Sequence, residues 1–76
     1  MVVFMEIHMT IRELVQLIRI NSGITQKELA ELSNIDQGAL CMYENGKRTA
    51  RLGKRKRLVD IANKAGMNIK YTDIQS

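Results

Sequence analysis

The sequence predicts a mainly α-helical fold, a bundle of four to five short helices. A short β-strand follows it, and a second β-prone segment precedes it. Three observations carry that expectation. Apolar residues recur at helical spacing in successive stretches between Ile11 and Ala65. Thr10, Thr25 and Asp36 each stand just before such a stretch, as helix-capping residues do, and Asn or Gly follows each one. Met67 to Thr72 instead alternates apolar with polar residues, the period of a half-buried strand.

The first helix opens at Thr10, with Glu13 three residues on as in a capping box. Ile11, Leu14, Val15, Leu17 and Ile18 give its apolar face, and Asn21-Ser22-Gly23 stops it. Thr25 and Glu28 repeat the box for a second helix, which runs to about Ser33 with Leu29 and Leu32 facing inward. Asn34 suits a left-handed turn, Ile35 dips into the core, and Asp36 caps a third helix from Gln37 to about Glu44. Asn45-Gly46 ends that one. A fourth helix is expected from about Lys54 to Ala65, with Leu58, Ile61, Ala62 and Ala65 as its buried stripe and Gly66 as its stop. The strand at 67–72 follows. Val2 to Ile7 is β-prone but alternates less cleanly.

The totals bound the class. The chain has 76 residues and is read as one domain, with a helical core at 10–66. One Cys, Cys41, excludes an internal disulfide, and Cys41 with the single His8 cannot build a zinc site, so no metal or cofactor is expected. A lone Cys suits a reducing, cytoplasmic setting. A core this small gains from oligomerisation, and a homodimer is expected. No apolar run approaches a bilayer span, so no membrane partner is expected. No nucleophile–base set, phosphate loop or carboxylate pair has a spacing that supports catalysis, so the chain is not read as an enzyme.

Net charge is +4, and its distribution matters more than its size. Lys47, Arg48, Arg51, Lys54, Arg55, Lys56 and Arg57 form a run without an acidic residue. Such clustering is the footprint of a polyanion partner, although a solvated helix face reads the same way.

So short a break between helices two and three, Ser33-Asn34-Ile35, makes them cross steeply, and the small Ala30 lets the third come close. That is helix-turn-helix geometry. On the third helix Leu40 and Tyr43 face inward, while Gly38, Cys41 and Met42 fall opposite and Gln37 stands at the leading edge. In a helix-turn-helix that leading edge meets base edges in the major groove of a double-stranded operator. Gln37 offers a donor and an acceptor together, as adenine requires. Gly38 permits close approach, and Cys41 and Met42 offer apolar contact; both also fit plain exposure. Gln26, Asn45, Lys47, Arg48 and Arg51 are the expected phosphate contacts.

The stretch TQKELAELSNIDQGALCMYENGKR, Thr25 to Arg48, resembles the lambda-repressor-like (Cro/repressor) helix-turn-helix proteins. The likeness covers roughly Ile11 to Ile69. Asn34 replaces the usual turn glycine, and Ser33 stands where an apolar residue is common. The resemblance implies an ion pair between Arg19 and Glu44. NGKRTARLGK, Asn45 to Lys54, is similar to a stretch of HipB-type antitoxins, which implies an autorepressor with a HipA-like kinase toxin as partner. It also implies a dimerising strand, which Met67, Ile69 and Tyr71 supply. Alternatives are a Cro-type phage or mobile-element repressor with no toxin, and a protein-interaction module on the same shell.

Overall fold

The structure, a computed structural model, describes residues 9–70, 72, 74 and 75. The elements in order are β1 (Met9–Thr10), α1 (Ile11–Ser22), α2 (Gln26–Ser33), α3 (Gln37–Glu44), α4 (Leu52–Lys64) and β2 (Ile74–Gln75). The described residues thus hold four helices, and α1 and α2 each pack against both α3 and α4.

The first two helices start as their sequences dictate. Thr10 Oγ1 accepts the Glu13 N–H at 3.2 Å, while the Glu13 carboxylate reaches back to the Thr10 N–H. Thr25 and Glu28 repeat this at 3.1 and 3.0 Å. The hydrogen bonds from Thr25, backbone first and hydroxyl second, hold the Glu28 carboxyl below its ordinary value of 4.5. This contribution to the cap is therefore present above the ordinary pKa and is lost as pH falls through the lowered one. Gly23 ends α1 at φ 64°, its N–H bonded to the Arg19 carbonyl at 2.8 Å. Asn34 ends α2 at φ 55°, filling the left-handed position usually given to glycine.

The core gathers Leu14, Val15 and Ile18 of α1, Leu29 of α2, Leu40 and Tyr43 of α3, and Leu58, Val59 and Ala62 of α4. Ile35 and Ala50 seal the connections on either side of α3, and Met9 and Ile74 close one end.

Three expectations are corrected. Leu32 is not inward but 64% exposed; Ser33 takes the buried position and donates its hydroxyl to the Leu29 carbonyl at 2.7 Å. Leu29 and Ser33 lie four residues apart, and that spacing, not three, tracks the buried seam of this helix. The fourth helix begins at Leu52 rather than Lys54, and its stripe includes Val59 while Ala65 is an exposed cap. Gly53 lies in its first turn. The third correction is the strand at 67–72. Residues 67–70 form no strand, because Asn68 adopts φ 54° and breaks the extended run. Asn63 then binds both backbone polar groups of Ile69: its amide donates to the Ile69 carbonyl at 2.8 Å, and its carbonyl accepts the Ile69 N–H at 2.5 Å. Both backbone hydrogen-bonding groups of Ile69 are thus engaged within the chain. The strand that forms is β2, four residues later in the chain than Lys70, and it pairs in parallel with β1, Met9 opposite Ile74. Val2 to Ile7 and Tyr71 lie outside the described residues.

Candidate nucleic-acid interface

Asp36 sets the start of α3. One carboxylate oxygen, Oδ2, accepts the N–H of Gly38 at 3.0 Å and of Ala39 at 3.3 Å. A Cβ on residue 38 would stand 2.9 Å from that oxygen. Gly38 therefore has an internal reason to be glycine, distinct from the close approach expected from sequence. Leu40 and Tyr43 hold the inner side of the helix, fully or nearly fully buried. Gln37, Gly38, Cys41 and Met42 are all exposed, as the helical phase predicts.

The far end of α3 is fixed by its neighbours. Arg19 Nη1 reaches both Glu44 carboxylate oxygens, at 2.6 and 2.7 Å, so the expected ion pair joins α1 to α3. Gln26 adds its amide to the same carboxylate at 3.3 Å, and Gln16 donates to the Glu44 backbone carbonyl at 3.4 Å. One carboxylate thus gathers α1, α2 and α3. Gln26, expected at a phosphate, is half-buried in this cluster, with its amide nitrogen turned to Glu44. Gln16 carried no motif and was not foreseen.

After α3 the chain turns at Gly46, φ 73°, and the Lys47 N–H returns to the Met42 carbonyl at 2.9 Å. Ala50, 2% exposed, pins the end of the loop to the core. Asn45, Lys47, Arg48 and Arg51 are exposed on it. The Asn45 amide rests on Cys41 Sγ at 3.4 Å, which links the loop to the outer side of α3.

The basic run divides. Arg55 is half-buried and donates to the Ala50 carbonyl at 3.1 Å. Arg57 donates to the Asn34 carbonyl at 3.4 Å and so supports the α2–α3 turn. These two cations stitch loops to α4, a role that charge counting cannot separate from anion binding. Lys47, Arg48, Arg51 and Lys54 project from the loop and the first turn of α4.

No helix among the described residues is long and apolar enough to cross a membrane. Comparison with curated proteins and with solved structures returns no match. The helix-turn-helix family model matches residues 15–64, from the middle of α1 to the last residue of α4. That span takes in α2 and α3 with their caps, the Asn34 turn, the exposed side of α3 and the cationic loop. The chain therefore belongs to the lambda-repressor-like (Cro/CI) helix-turn-helix family of DNA-binding transcription regulators.

Proposed function

We propose that this chain is a sequence-specific transcriptional repressor that reads an operator with α3. The observation that carries the reading is the outer side of α3, where Gln37, Gly38, Cys41 and Met42 stand exposed beside the cations of the following loop. Gln37 makes the paired contact to a base, and Cys41 and Met42 supply apolar contact. Asn45, Lys47, Arg48 and Arg51 hold phosphates on one flank, and Gln26 is a contact at the start of α2. The chain acts as a homodimer on a two-part operator, each α3 one DNA turn, about 34 Å, from its mate.

The partner in this reading is a HipA-like kinase toxin, and the chain is its autoregulating antitoxin. The support is the likeness of Asn45–Lys54 to HipB-type antitoxins. A second reading, a Cro-type repressor without a toxin, is favoured by the absence of a strand at residues 67–70, where a HipB-type dimerising strand was expected. A kinase-like reading frame beside the gene, and its product purifying with this chain, separates the two.

The test of the DNA reading is to select fragments of host genomic DNA with the purified protein and sequence them. One enriched palindromic motif is expected, bound more weakly as salt rises. Fragments with no common motif, bound no better than random DNA, would end it. Light scattering at about micromolar concentration is expected to give a dimer; a monomer both free and on the operator would remove the two-part arrangement.

A further inference from the structure

Arg12 lies in the first turn of α1, outside the span that matches the family model. Its exposed side chain runs along the α3–α4 turn. A Cβ placed on Gly46 would stand 3.5 Å from Arg12 Cδ and 3.9 Å from its Nη1. Gly46, left-handed at φ 73°, gives that turn its shape, and the arginine stem lies within van der Waals reach of it. The next two residues are Lys47 and Arg48, both exposed. A cation of α1 therefore lies beside the turn from which two cations of the following loop project.

Acidic residues do not offset them there. Glu13, beside Arg12 in sequence, is engaged with Thr10 in the α1 capping box. Glu44, at the end of α3, is taken by Arg19 and Gln26. Among the described residues Arg12 forms no ion pair. Like charges brought together repel, and an oxyanion between them reverses the sign of that energy. A guanidinium offers planar paired donors that fit a phosphate oxygen pair.

We propose that Arg12 joins Lys47 and Arg48 in a phosphate-binding corner that grips the DNA backbone, so that α1 takes a direct part in binding. This rests on the reading of α3 as the groove-reading helix. Arg12 is a positioning contact and carries no base information.

The experiment measures affinity by fluorescence anisotropy against salt, for the selected genomic fragment and for a random duplex. It compares the native chain with Arg12→Gln, Arg12→Lys and Lys47→Gln, each also melted thermally. Arg12→Gln is expected to flatten the slope of log affinity against log salt by about 0.9, the share of one phosphate contact. Between roughly 50 and 200 mM salt its affinity then falls about 3.5-fold less than the native chain's, equally on both DNAs. Arg12→Lys is expected to keep most of the slope. An unchanged slope for Arg12→Gln, with Lys47→Gln flattening its own, overturns this inference and leaves the DNA reading standing. A lowered melting temperature with an unchanged slope overturns it too and makes Arg12 a packing residue of the turn. A native chain that binds neither DNA in a salt-dependent way overturns the DNA reading itself.

Discussion

Glu44 concentrates more structure than any other single carboxylate among the described residues, because Arg19 and Gln26 both end on it. The pair keeps 30% and 20% of its side-chain surfaces in contact with solvent. Its loss therefore costs less than that of a fully buried pair, about 1.5–3 kcal/mol rather than 3–5. Glu44→Gln is expected to lower the melting temperature by roughly 6–24 °C. A melt that overlays the native one would show the three side chains to act independently. Gln37 has the opposite character, exposed and without a structural duty. Gln37→Ala is expected to leave the melt unchanged and to lose about 1–3 kcal/mol on the selected operator, far less on random DNA. Equal losses on both would take it out of base readout. The Arg19–Glu44 pair was legible through a resemblance, since a spacing of 25 residues has no periodic signal. Leu32 was misread for a physical reason. Eight residues make little more than two turns, and positions three and four after Leu29 then look equally inward.

Helix boundaries were legible wherever a side chain marks them. The two Thr–Glu boxes and the Asp36 cap open α1, α2 and α3 where the sequence places them. The fourth helix has no such mark: Arg51 is its N-cap residue and makes no side-chain cap bond. Its start was therefore set too late. The α2–α3 connection offers a sharper test of turn chemistry. Asn34 sits at φ 55°, a region costly to residues with a Cβ and no compensating polar group. Asn34→Ala is expected to cost about 1–2 kcal/mol. Asn34→Gly is expected to stay within about 0.5 kcal/mol of native, since glycine enters the same region freely. Chemical denaturation of both variants checks this. Equal destabilisation would shift the role of Asn34 from its backbone to its side chain.

For the molecule as a whole, the helical bundle was legible and its closure was not. Met67, Asn68 and Ile69 carry the alternation of a strand, but a left-handed Asn68 and the Asn63 clamp override it. Neither device has a periodic signature. The pairing that does form is two residues long and joins segments 65 positions apart, too little sequence for any pattern to show. It matters because Ile74 is 4% exposed and closes the end of the core beside Met9. Ile74→Ala is expected to cost about 2–3 kcal/mol, which is roughly 8–24 °C of melting temperature. A native-like melt would mean that the bundle is complete without its closing segment.

Asp36 and Gly38 constrain how this protein can acquire a new binding site on DNA. A side chain at position 38 would press on the carboxylate that starts α3, so changes there trade helix integrity for contact chemistry. Positions 37 and 42 carry no such debt to the fold, and position 41 only the contact of Cys41 Sγ with the Asn45 amide. On the proposed reading of α3, a variant library built to retarget it should randomise 37, 41 and 42 and hold 36 and 38 fixed.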